Sequence, residues 1–280
     1  MLTVTALQMT SVADIDKNLQ FIDQQLSSLT PSSEHLVVLP ECCLFFGGSD
    51  KQQLAIAEPL GHGYMQQQLS QLAIKHNVYL LAGSVPICHS AEKFTASSLL
   101  FSPMGTLIAD YQKLHLFDVN VSDNQGQYRE SNYTQSGDKL MTVALPSANV
   151  GLSICYDLRF AGLFAALRDQ GAELICVPSA FTYVTGKAHW QALLRARAIE
   201  NQVYIVAAGQ VGTHENGRQT FGHSMIIDPW GEIIASIDQG HGMITANIDR
   251  EKIFEVRNQI PVATHNRFIT TLGQTPPKSS

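Results

Sequence analysis

Apolar residues recur at strand or helix spacing along most of this 280-residue chain. Residues 3–9 alternate apolar and polar side chains as a strand does, whereas Ile15, Leu19, Ile22 and Leu26 repeat at the interval of one helix face across 14–27. A βα unit therefore opens the protein. Residues 35–39 read as a short apolar strand, 63–76 as an amphipathic helix and 78–85 as another strand, an order that predicts a largely buried sheet covered by helices. Strands at 97–101 and 107–112 flank the turn Ser102-Pro103-Met104-Gly105 and form a hairpin.

The second half repeats this pattern: strand 150–155, helix 160–170, strand 174–178, helix 187–201, strand 203–208 and a hairpin over 223–237. The turn of that hairpin, Asp228-Pro229-Trp230-Gly231, is close enough to the first to suggest two related αβ halves. No low-complexity linker divides them. We therefore expect an α/β fold with one domain over 1–258, in which two sheets pack face to face with helices outside. An extended tail over 259–280, carrying Pro261, Pro276 and Pro277, should follow.

Composition narrows the function. Hydrophobic residues make up 45% and charged residues 15%, enough to build a core and far from a disordered profile. A net charge of -6 without any Lys/Arg-rich run lacks the footprint of a nucleic-acid binder or a polybasic membrane anchor, so a small molecule is the expected partner. The most apolar region, 36–46, is broken by Pro40 and Glu41 and is too short to span a bilayer. The N-terminus has no positive segment before its apolar residues, so export is not expected. The five cysteines are odd in number, lack C-x-x-C spacing and sit in apolar segments, which fits a reducing cytoplasm better than a disulfide framework.

Candidate chemistry concentrates at Cys155, where the apolar stretch Gly151-Leu152-Ser153-Ile154 ends shortly before a helix. A side chain at the carboxyl end of a strand faces the crevice of an α/β sheet, and a sharp turn there frees backbone N–H groups to hold an oxyanion. Cys42, Cys43, Cys88 and Cys176 read as packing cysteines. Among the ten histidines, His115 and His189 are the nearest candidates for a base, each equally readable as a packed or capping residue. No histidine pair has metal-binding spacing, so neither metal nor cofactor is expected. The other candidate base is Glu41, at the end of a buried strand, where apolar surroundings make a carboxylate a better proton acceptor and donor near neutrality. Lys113 ends a hairpin strand; beside Cys155 its charge would favour the thiolate and the oxyanion.

Three segments together carry a resemblance. Leu39-Pro40-Glu41, Tyr111-Gln112-Lys113-Leu114-His115-Leu116 and Cys155-Tyr156-Asp157-Leu158-Arg159-Phe160 resemble the signature of the nitrilase (carbon-nitrogen hydrolase) superfamily. Pro178-Ser179-Ala180-Phe181, Ala188-His189-Trp190 and Gly222-His223-Ser224-Met225 are most similar to its Nit branch. The resemblance implies a four-layer αββα sandwich, commonly assembled into homodimers or larger homo-oligomers. It implies that Glu41 takes the proton of Cys155, that the thiolate attacks an amide carbonyl, and that Lys113 and the Tyr156 backbone N–H hold the oxyanion. Ammonia leaves, and water activated by Glu41 hydrolyses the thioester. Glu130 matches the family's second glutamate, in a positioning role.

For the substrate, the resemblance implies a small carboxylate-bearing amide, with deaminated glutathione ahead of α-ketoglutaramate. A nitrile or another carbon–nitrogen substrate is an alternative, as is a catalytically silent scaffold. Arg159 is a candidate clamp for a substrate carboxylate, or else pairs with an acid to hold its loop. Phe181, Thr182 and Tyr183 are candidate pocket walls. Phe160-Ala161-Gly162 departs from the family in lacking the proline common after this Phe, which touches the helix start and no reactive group.

Overall fold

The fold is built twice from the same arrangement of strands. The computed structural model describes residues 1–123 and 125–273. Its first half runs β1 (Leu2–Gln8), α1 (Ile15–Leu26), β2 (His35–Val38), α2 (Asp50–Ala55), α3 (Tyr64–His76), β3 (Tyr79–Cys88), β4 (Phe94–Phe101), β5 (Leu107–Gln112) and a small hairpin, β6 (Asp118–Asn120) with β7 (Gln127–Arg129). The second half runs β8 (Thr142–Ala144), β9 (Asn149–Leu152), α4 (Ala161–Asp169), β10 (Leu174–Cys176), α5 (Tyr183–Asn201), β11 (Tyr204–Ala207), the pair β12 (Val211–Thr213) and β13 (Gln219–Phe221), β14 (Ser224–Ile227), β15 (Ile233–Ile237), β16 (Gly242–Ile248), α6 (Arg250–Gln259) and α7 (Val262–His265).

One sheet has the order β16-β1-β2-β3-β4-β5 and the other β15-β14-β11-β10-β9-β8. In each, three consecutive strands run parallel (β1, β2, β3; β9, β10, β11) and continue into an antiparallel hairpin. An antiparallel strand closes the far edge of each: β16, from the second half of the chain, beside β1, and β8, from the same half, beside β9. The two hairpin turns match in detail. Gly105 N–H donates to Ser102 O at 2.8 Å and Gly231 N–H to Asp228 O at 2.9 Å, while the Ser102 and Asp228 side chains each accept two backbone N–H groups within their turn.

Strand alternation sorts the side chains into layers. Leu2, Val4 and Ala6 of β1 and Leu36 and Val38 of β2 face the second sheet, while Leu7 and Val37 face α1 and α3. β1 packs on β11 and β14, α3 covers β3, and α4 and α5 cover β9 and β11. These are the four layers αββα. In α1 the apolar stripe read from the sequence is the buried one, and Asp14 caps the helix by accepting from Lys17 N–H.

Several elements differ from the sequence pattern. α5 starts at Tyr183 and passes through Gly186, where only glycine fits because a Cβ would come within 2.4 Å of Phe221 of β13. β9 stops at Leu152, since the chain turns tightly at residues 153–155. α2 and α6 have too few apolar positions to stand out, while β16 alternates Ile244, Ala246 and Ile248 with Thr245 and Asn247 beyond the last hairpin that the pattern predicts. α6 buries only Ile253 and Val256, and β16 forms by pairing along β1. The segment after residue 259 is not uniformly extended: Pro261, with its fixed φ, precedes the short helix α7. Pro276 and Pro277 lie outside the described residues.

Candidate active site

Three chain turns, each directly after a strand, converge at one end of the two sheets. After β2, Leu39 and Pro40 lead to Glu41. This path needs Gly83: β3 bulges between Ala82 and Val85, and a Cβ at residue 83 would fall 2.3 Å from the Pro40 carbonyl oxygen. Ser84 Oγ then accepts the Cys42 N–H at 2.8 Å, and the Gln210 side chain donates to the Glu41 carbonyl at 2.9 Å, so the backbone on both sides of Glu41 is held. Lys113 follows β5 and Cys155 follows β9.

Lys113, only 2% exposed, is ringed by carboxylates. Its Nζ donates to Glu41 Oε1 at 2.7 Å and to both oxygens of Glu130 at 3.0 Å. Burial alone would lower its pKa, but the charges of Glu130 and Glu41 raise it well above the ordinary lysine value, so the ammonium is a permanent charge. Glu130 turns inward from the single 3₁₀ turn after β7, and its Oε2 also accepts the Phe117 N–H at 2.6 Å. Burial raises the Glu130 carboxyl, with Glu41 adding to the rise and Lys113 opposing it. Glu41 is buried as its strand-end position predicts, yet its surroundings are not apolar. Its Oε2 accepts the Ala180 N–H at 2.8 Å, and its Oε1 faces Lys113.

The Cys155 thiol is pushed well above its ordinary value, first by burial and then by the Glu41 carboxylate, with Lys113 pulling the other way. It rests as a neutral thiol, and attack requires a base to remove the proton. Cys155 has φ of 48°, the left-handed region that non-glycine residues occupy at a cost of about 1–3 kcal/mol. Its own N–H is taken by Pro178 O at 2.9 Å, whereas the Tyr156 N–H donates to no group among the described residues.

Asp157, fully buried, holds this turn. Its Oδ2 accepts from Ile154 N–H at 2.9 Å and Tyr111 OH at 2.7 Å; its Oδ1 accepts from His115 N–H at 3.1 Å and His115 Nδ1 at 2.7 Å. One carboxylate thereby joins the segment of Lys113 to that of Cys155, and Arg197 clasps the Leu158 carbonyl from α5 at 2.9 and 3.0 Å. Asp157→Ala would strand several buried donors, an expected loss of about 3–5 kcal/mol. Thermal unfolding should fall by roughly 10 °C. A midpoint within 2 °C of the parent would refute this role.

His115 is thus committed to Asp157 and stacks on Phe160 at 3.6 Å, and His189 lies 3.2 Å from Arg159 Nη1. Neither lines the cleft that holds Cys155, nor does any other described histidine. That cleft has about 880 Å³ of empty space open to solvent. Glu41, Lys113, Glu130, Cys155, Tyr156, Phe181 and Thr182 line it, and Arg159 and Tyr183 do not. The Arg159 guanidinium lies over the rings of Tyr156 and Phe181, 5.9 and 5.1 Å from their centroids, with no carboxylate partner among the described residues. Tyr183 lies edge-on to Phe221 and lines a neighbouring hollow. Asp157 lies inside the motif around Cys155 and Gly83 inside a predicted strand; Arg218, also on the cleft wall, carries no local signal. No described group of His, Cys, Asp and Glu residues is arranged to hold a metal ion, and no described helix is long and apolar enough to cross a membrane.

Known proteins share the sequence and the fold of this chain. The carbon-nitrogen hydrolase family pattern matches residues 3–258. The chain is 44% identical over 271 residues to a deaminated glutathione amidase of Yersinia enterocolitica, covering 96% of this chain and 94% of that protein. It is 39% identical over 269 residues to the deaminated glutathione amidase of Rattus norvegicus, covering 94% and 82%. The crystal structure of the C. elegans NitFhit protein superposes with a TM-score of 0.89 at 36% identity, over 99% of this chain and 68% of that one. Saccharomyces cerevisiae Nit3, a member of branch 10 of the nitrilase superfamily, gives 0.84 at 32% identity, over 95% and 97%.

Proposed function

This chain belongs to the carbon-nitrogen hydrolase family, and from that premise we propose that it hydrolyses deaminated glutathione through a thioester on Cys155. The family makes it a carbon-nitrogen hydrolase, and its relatives in bacteria and animals are amidases. The observation that carries the mechanism is a buried ammonium between two carboxylates, on the same cleft as a protonated thiol. Glu41 accepts the thiol proton as sulfur attacks the amide carbon, and Lys113 with the Tyr156 N–H stabilises the oxyanion. Glu41 returns the proton to the leaving nitrogen, the C–N bond breaks, and the amine departs. Water, deprotonated by Glu41, then cleaves the thioester and regenerates the thiol. Glu130 keeps Lys113 in place.

The product requires a correction to the sequence-based expectation. Ammonia leaves only a primary amide such as α-ketoglutaramate. In deaminated glutathione the scissile carbonyl is bonded to the cysteine nitrogen, so hydrolysis yields 2-oxoglutarate and cysteinylglycine with no ammonia. Support for this substrate comes from the names carried by the 37–44% identical relatives. The test offers purified enzyme both amides and measures 2-oxoglutarate, with Cys155→Ala as blank. We expect faster Cys155-dependent release from deaminated glutathione. Preference for α-ketoglutaramate would make the enzyme an ω-amidase instead.

The hydrolase domain would occupy 1–258 and the tail 259–280. A homodimer or larger homo-oligomer is supported by the exposed apolar side chains Ile199, Trp230, Phe254 and Ile260, and a cytoplasmic setting by five free cysteines. Arg159, beside two cleft-lining rings, remains the candidate for the carboxylate of the acyl chain.

A further inference from the structure

The substrate proposed above carries two carboxylates, one on each side of the scissile bond. The inner end of the cleft suits neither, because one ammonium is already shared by Glu41 and Glu130. Arg129, also on the wall, spends its guanidinium on Val119 O, Tyr128 O and Asn120 Oδ1. Arg218 is different. Its side chain is 26% exposed, makes no side-chain hydrogen bond among the described residues, and meets Asp50 only as a long ion pair, 3.7 Å from Oδ1, which leaves its hydrogen-bond donors unspent.

Arg218 is nevertheless held in place. Its guanidinium lies over Tyr128 at 5.3 Å and Phe46 at 5.8 Å from the ring centroids, and the Tyr128 hydroxyl is fixed by donating to Asp123 at 2.7 Å. The loop that carries it is tied down where Asn216 donates to Gly48 O at 3.0 Å. An immobilised guanidinium with unspent donors is a ready partner for a carboxylate.

Its position sets which carboxylate. Arg218, Tyr128 and Gln219 line both the catalytic cleft and an adjoining hollow of about 460 Å³ that contains none of Cys155, Glu41 or Lys113. Arg218 therefore stands at the outer end of the cleft, toward that hollow. We infer that Arg218 binds a carboxylate on the amine side of the substrate, so that the enzyme selects amides whose leaving amine ends in a free acid. This inference rests on the preceding reading that the leaving amine is peptide-like.

The test measures kcat/KM by 2-oxoglutarate release from deaminated glutathione and from its analogue with a carboxamide at the glycine end, using the parent enzyme, Arg218→Gln and Arg218→Lys. The parent should prefer the acid by roughly 10- to 100-fold, mostly through KM. In Arg218→Gln the preference should collapse to within about threefold, and Arg218→Lys should keep an intermediate preference. The analogue tests the charge without any mutation, so a poorly folding variant does not blunt the result. An active parent enzyme that treats the two substrates alike, or an Arg218→Gln variant that keeps the parent's preference, overturns this inference and leaves the amidase reading standing. A parent enzyme that cleaves neither overturns both.

Discussion

Cys155→Ala is expected to lower turnover of every amide substrate by about 10⁴- to 10⁶-fold, the loss seen when a nucleophile acting as one unit with its neighbours is removed. The fold should survive. The side chain is small and its turn is held by Asp157 and Arg197 rather than by sulfur, so the unfolding midpoint should stay within a few degrees of the parent. Mass spectrometry of enzyme quenched during turnover supplies the direct check: the parent should carry the acyl group as a thioester, and the variant should carry none. Cys42 is the only other described cysteine on the cleft wall. Burial and the nearby carboxylates push its thiol up as well, but its N–H is spent on Ser84. Unchanged hydrolysis by Cys155→Ala would remove Cys155 from the mechanism.

Glu41→Gln is expected to cut turnover by about 10²- to 10⁴-fold, the usual contribution of a general acid–base group. Its physical consequences extend further. Glu41 accepts hydrogen bonds at both oxygens, from Lys113 and from Ala180 N–H. Gln supplies one acceptor, and its NH₂ must oppose a donor on the other side, at a cost of about 1–3 kcal/mol. The variant should therefore be folded but somewhat less stable. The Cys155 thiol should also change. Glu41 raises it and Lys113 lowers it, so loss of the carboxylate charge with the ammonium retained should bring its pKa down. The rate of thiol alkylation by iodoacetamide, followed against pH, should show a lower midpoint in the variant than in the parent even as amide hydrolysis is lost. Steady-state rates equal to the parent would dismiss Glu41 as the base.

These two variants probe a site whose parts differ in how legible they are in the sequence. Glu41, Lys113 and Cys155 each follow a strand that its own apolar pattern announces, and the strand ends lie where the periodicity places them to within a few residues. Glu130 is less visible. It sits in a polar run, and only the inward turn of that run brings its carboxylate to Lys113. Asp157 lies two residues from the nucleophile, yet its four partners come from β5, the residues following it and the turn itself, which local spacing does not reveal. The same holds for Gly83, whose missing side chain matters only because the backbone after β2 crosses it.

The sequence by itself determined the two αβ halves, the matching hairpin turns and the three residue types that carry the chemistry. Those features depend on covalent geometry and on apolar burial, both of which act within a few residues and leave a periodic trace. Tertiary structure alone decided that β16 and β8 close opposite sheets, that Glu41 faces two donors instead of an apolar wall, and that Arg218 rather than Arg159 lines the cleft. Hydrogen bonds and charges act across whatever the fold brings within a few ångströms. Lys113 and Glu41, 72 residues apart in the chain and 2.7 Å apart in space, leave no pattern that sequence spacing can record.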